Sequence, residues 1–210
     1  MLATLVFLAA APGGYAAGQH RRNTCAGGQS HVIAADAQAQ VYEASKPSRI
    51  LGCIYGSKDI YWLGGPAVYD AGGGGERADF TLGGTLVAFE ASNFRDFPGP
   101  NLPQSEQRVV VEDLRTGRVL YRVPAGASGP TRVGFGSIKA LLVKSDGSAA
   151  WIVGNGLGDT ASTAYEVGVV DASGSRVLAE SSEIEPLSLA LAGSTLYWTQ
   201  GGKAMSAALN

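Results

Sequence analysis

Few residues in this chain could do chemistry, and fewer are spaced to act together. His20 and His31 are the only histidines. A serine nucleophile would have to use His31 as its base. The Gly-x-Ser-x-Gly turn that exposes such a serine is absent, and Gly134-Phe135-Gly136-Ser137 does not supply it. Cys25 and Cys53 have no second cysteine or histidine at metal-ligand spacing. The stretch Gly154-Asn155-Gly156-Leu157-Gly158-Asp159-Thr160 offers oxygen ligands, Asn155 and Asp159 among them. It lacks the spaced carboxylates and distal glutamate of a calcium loop. It also lacks the Lys-Ser/Thr that closes a phosphate-binding loop. Asp70 and Glu76 could pair as carboxylates, but the glycine run 72–75 between them fixes no distance. No catalytic set, metal or cofactor is therefore expected.

The residues best suited to contact lie in one stretch, Ser92 to Pro103. It sets Phe94, Arg95, Asp96 and Phe97 beside three prolines, Pro98, Pro100 and Pro103. Aromatic anchors next to an arginine on a stiffened loop suit a contact surface. The competing structural reading tucks Phe94 and Phe97 under the loop, because exposed aromatic clusters are costly in a monomer.

The elements that must position these residues are read from composition and repeats. The chain has 210 residues, 30 of them glycine, with 45% apolar and 16% charged residues. Much glycine with few charges suits a turn-rich β protein and excludes a disordered chain or a helical bundle. The net charge of −2 carries no footprint for nucleic acid or an anionic membrane. Leu2 to Ala11 is long enough for a signal-peptide core and too short to span a bilayer. Residues 1–17 are read as an export signal, although no Lys or Arg precedes the apolar run. Residues 18–30 follow as a tail, and residues 31–210 as the folded domain, with no transmembrane span after cleavage. The expected location is secreted or in the cell envelope. In that setting Cys25 and Cys53 predict a disulfide, the one pairing two cysteines allow.

One phrase recurs: Gly84-Thr85-Leu86-Val87-Ala88-Phe89, Gly147-Ser148-Ala149-Ala150-Trp151 and Gly193-Ser194-Thr195-Leu196-Tyr197-Trp198. Each copy turns on glycine and enters a strand that carries an aromatic. A second turn recurs as Asp113-Leu114-Arg115-Thr116-Gly117 and Asp171-Ala172-Ser173-Gly174, where the aspartate can bond the turn backbone. The predicted unit is four strands, with the last unit lacking its fourth. Trp62, Trp151 and Trp198 all fall in strands, which predicts core or blade packing rather than ligand stacking. Long connections are predicted at 64–78, 91–107, 124–137 and 154–164, with 64–78 read as a flexible glycine-rich loop.

On the turns at 113–117 and 171–174 and the Asp-Gly-Ser-Ala-Ala-Trp phrase at 146–151, the chain resembles WD-repeat-like and TolB-like β-propellers of exported bacterial proteins. The resemblance covers roughly residues 31–209 and implies a small or incomplete propeller of about four antiparallel four-stranded blades. A β-sandwich or irregular stacked sheets is the structural alternative. The function it implies is a non-enzymatic module that binds a protein or polymer through its long-loop face. The alternatives are a glycan hydrolase or lyase of propeller type, and an envelope-associated structural domain that self-associates through an unfinished blade.

Overall fold

The computed structural model describes residues 25, 30–45, 48–65, 68–70, 73–94, 105–126, 137–154 and 164–210. The described chain is all-β, in four antiparallel sheets, and none closes into a barrel. The first sheet runs β1 (Ser30–Ala35), β2 (Ala39–Ser45), β3 (Ser48–Ile54) and β4 (Ile60–Gly64). The second has five strands: β5 (Val68–Asp70), β6 (Gly73–Gly83), β7 (Leu86–Phe94), β8 (Ser105–Asp113) and β9 (Arg118–Pro124). The third runs β10 (Ile138–Val143), β11 (Ala149–Gly154), β12 (Tyr165–Asp171) and β13 (Gly174–Ser181). The fourth has three strands, β14 (Ala190–Ala192), β15 (Thr195–Gln200) and β16 (Lys203–Ala208). In each sheet the strands lie in chain order, so every sheet is a meander.

The side-chain period of two decides which residues meet between sheets. Along β7, Val87 and Phe89 point toward the first sheet and pack with Val41, Ile50 and Leu63. Leu86 and Ala88 point the other way and pack with Trp151, Val153 and Val170 of the third sheet. The third sheet's opposite face meets the fourth through Ile152, Val167 and Val169 against Leu196 and Trp198. The two middle sheets are thus covered on both faces, which is why Val109, Val110 and Val111 are all buried without alternation. Trp151 lies on Gly168, where an added Cβ would overlap the indole. Burying an aromatic of this size contributes about 2–3 kcal/mol.

The repeated turns form as their residues require. Gly84, Gly117, Gly147, Gly174 and Gly193 all have positive φ. The disulfide Cys25–Cys53 is present, with Cα atoms 5.9 Å apart.

Three expectations are corrected. Residues 64–78 are not one flexible loop, because β5 and the first half of β6 occupy most of them. The glycines of β6 pair with Asn93 and Phe94, so the ladder of the longer β7 holds a segment that local propensity alone would leave loose. The same extension shortens the 91–107 connection to 95–104. Trp62 is not in the core: it is 65% exposed, while Trp151 and Trp198 are buried. Trp62 alternates with Tyr61 and Leu63, which face the second sheet, so its ring points to the other side of the first sheet.

Candidate functional site

The two ends of the sheets differ in construction. The tight turns β1–β2, β6–β7, β8–β9, β10–β11, β12–β13 and β14–β15 fall at one end by antiparallel geometry. There, aspartates knit the turns together. Asp36 accepts N–H bonds from Gln38 at 2.7 Å, Ala39 at 2.8 Å and Gly84 at 2.9 Å, which ties the first sheet to the second. Asp113 accepts the Arg115 N–H at 2.9 Å and holds its guanidinium. Asp171 is held by both Arg176 nitrogens, at 2.8 and 2.9 Å, and by the N–H groups of Ser173 and Asn210. Those Arg176 hydrogen bonds pull its carboxyl down to about 2, against the opposing effect of burial. Lys144 and Ser148 donate to the carbonyls of Leu209 and Asn210, fastening the last residues to the third sheet.

The opposite end carries the long connections. In the second sheet, residues 95–104 join β7 to β8; in the third, residues 155–164 join β11 to β12. Residues 125–137 pass from β9 to β10 at that same end.

Between the second and third sheets, toward the loop end of β10, lies a buried carboxyl beside a second one. β6 bulges between Ala78 and Thr81, leaving Asp79 and Phe80 without ladder partners. The bulge sends Phe80 to stack on Phe89, with ring centroids 5.2 Å apart, in the joint with the first sheet. Asp79 adopts φ +52°, the non-glycine residue in the left-handed region among those described. Its carboxyl meets that of Glu90, which is 6% exposed and accepts the Ile138 N–H at 3.2 Å. Burial, helped by the neighbouring Asp79 and Glu76, lifts the Glu90 carboxyl to about 7 against the opposing Ile138 N–H. Asp79 also lines a groove of about 260 Å³ with Phe80, Thr81, Lys139, Ala140 and Leu141. The groove therefore shows one carboxylate and one ammonium to solvent, with a second carboxyl behind.

The arrangement can hold a proton near neutral pH and present paired charges to a polar ligand. It does not have the geometry of a glycosidase, whose two carboxyl groups stand roughly 5–10 Å apart with sugar between them. Among the described residues no group of three or more His, Cys, Asp and Glu side chains could hold a metal.

Of the residues singled out in the sequence, Phe94 ends β7, opposite Ser105. Arg95, Asp96, Phe97, Asn155 and Asp159 lie outside the described residues. The expected signal, and the tail apart from Cys25 and Ser30, also lie outside them. Among the described residues no helix is long and apolar enough to cross a membrane. Sequence reading missed Asp79, Glu90 and Lys139. Glu90 was findable: it shares an inward face with Leu86 and Ala88, and a charge in that register is buried. Asp79 was not, because nothing in Ala78-Asp79-Phe80-Thr81 announces a bulge.

No family model matches the chain, and no curated protein matches it. A solved structure, the orthorhombic crystal form of Pyrococcus horikoshii acylaminoacyl peptidase, is similar over 78% of this chain at a TM-score of 0.41 and 10% identity. The chain spans 33% of that protein's length. A likeness this loose is carried no further.

Proposed function

We propose that the chain is an extracytoplasmic, non-enzymatic binding module that meets a protein or polymer at the loop end of its sheets. In this reading the four meanders are consecutive blades of a small propeller-like array, and residues 1–17 direct export. The observation that carries it is the contrast between the two ends. One end is locked by Asp36, Asp113 and Asp171 into short turns. The other gathers the connections 95–104, 125–137 and 155–164 of both middle sheets. Long connections carried on a rigid scaffold are where binding residues concentrate. The disulfide fits an oxidising compartment.

The test uses the purified chain against a glycan array and in co-sedimentation with insoluble cell-wall polymer. Binding by the wild type, lost in Phe94→Ala/Phe97→Ala and in Asn155→Ala/Asp159→Ala but kept in the turn variant Thr116→Ala, supports the reading. Binding that survives both loop variants, or that Thr116→Ala abolishes equally, overturns it.

A further inference from the structure

The leading strands of three sheets carry the same irregularity. β1 slips against β2 between Val32 and Ala34, β6 against β7 between Ala78 and Thr81, and β10 against β11 between Ile138 and Ala140. Each slip leaves residues without a ladder partner: Ile33 in β1, Asp79 and Phe80 in β6, and Lys139 in β10. A bulge re-aims side chains that regular pairing would fix, and bulges are common beside functional sites. In β1 the released residue is an isoleucine. In β6 and β10 the released residues include an acid and a cation.

β6 and β10 also lie against each other, across the joint between the second and third sheets. Toward the tight turns their backbones touch: a Cβ added to Gly83 would stand 2.6 Å from the Val143 carbonyl oxygen. At the bulges the strands leave the groove of about 260 Å³, lined by residues 79–81 of one and 139–141 of the other. Asp79 and Lys139 are both exposed and stand on its two walls. Among the ion pairs of the described residues none joins the two. Lys139 Nζ donates instead to Ser137 Oγ, and the Asp79 carboxyl meets Glu90. A carboxylate and an ammonium thus border one small space without neutralising each other, with Phe80, Ala140 and Leu141 as apolar lining.

Charge and size select the ligand. A lone cation or a lone anion would satisfy one wall and meet its own sign on the other, and a neutral sugar would satisfy neither. The groove is also smaller than the roughly 300 Å³ at which pockets for drug-sized molecules begin. We propose that the groove between β6 and β10 binds a small zwitterion, a free amino acid or a dipeptide, with its ammonium on Asp79 and its carboxylate on Lys139. Glu90 behind Asp79 keeps the ammonium side acidic, and the wall from Lys139 to Leu141 carries no acid. Both charges lie in an open groove, so binding belongs in the millimolar range and weakens as ionic strength rises.

The test follows backbone amide NMR shifts of the isotope-labelled full chain at low ionic strength. The ligands are alanine, alanyl-alanine and two probes that each keep one charge, alanine amide and N-acetylalanine. Saturable shifts at Thr81, Lys139, Ala140 and Leu141 with alanine or alanyl-alanine, and binding about fivefold weaker with either single-charge probe, support the proposal. Asp79→Asn should lower the zwitterion to the affinity of N-acetylalanine, and Lys139→Gln to that of alanine amide. The amide spectrum shows whether each variant folds; Asp79→Gly, which accepts the same positive φ, replaces Asp79→Asn if it does not. No saturable shift with either zwitterion overturns the proposal. So do single-charge probes that bind as tightly as the zwitterions, and shifts that persist unchanged in both variants. Neither Asp79 nor Lys139 belongs to the connections 95–104, 125–137 and 155–164, so this proposal and the loop-end reading fail separately.

Discussion

Asp171 and Glu90 are both buried acids, and the structure drives them in opposite directions. At the tight-turn end, Asp171 sits 1% exposed among two guanidinium nitrogens and two backbone N–H groups, and its carboxyl falls to about 2. In the joint between the middle sheets, Glu90 has one N–H donor and two acidic neighbours, and it rises to about 7. Burial opposes both charges but dominates at Glu90, whereas at Asp171 the Arg176 hydrogen bonds outweigh it. One acid therefore acts as a structural clamp and the other as a proton store.

The largest way to break this contrast is Asp171→Ala. It strips Arg176 of its partner and frees the Ser173 and Asn210 N–H groups, and it should cost about 2–3 kcal/mol at pH 7. Urea unfolding reads the loss; a change below about 0.5 kcal/mol would show that the clamp is not a clamp. The acid limb checks the same point. A depressed carboxyl contributes stability that is complete above its ordinary value of 3.8 and lost as pH falls toward 2. That loss should be missing from the variant.

Glu90→Gln tests the other half. Glu90's folded value lies above its ordinary 4.5, so its contribution is complete below pH 4.5 and is lost as pH rises through about 7. Glutamine can still accept from Ile138 and donate to Asp79. The variant should be more stable than the wild type by about 1–2 kcal/mol at pH 8 and close to equal at pH 4. Denaturation midpoints at the two pH values measure it, and an equal shift at both would point to repacking instead of titration.

Asp79→Asn gives the smallest effect. It removes a neighbouring charge but keeps an acceptor and tolerates the left-handed backbone. The pH at which stability falls should move down by less than about one unit. An unmoved midpoint would leave burial and Glu76 as the causes of the Glu90 shift.

Much of the scaffold was legible from the repeats. Gly84, Gly147 and Gly193 open the strands as expected, because a tight turn needs positive φ and glycine supplies it locally. Asp113 and Asp171 cap their turns for an equally local reason: each bonds an N–H two residues on. The reading failed where a distant partner decides. The glycines of β6 look loose until β7 pairs with them, and Trp62 looks like Trp151 until the neighbouring sheets are counted.

By itself, the sequence determined the β class, the recurring turns and the cysteine pair. These rest on period-two patterning, backbone sterics and the single pairing two cysteines allow. Only the tertiary structure decided which faces are covered, that Asp79 and Glu90 meet through a bulge, and that Trp62 stands exposed while Trp151 and Trp198 are buried. Those outcomes depend on contacts between residues far apart in the chain, and no local pattern encodes whether a sheet has a neighbour.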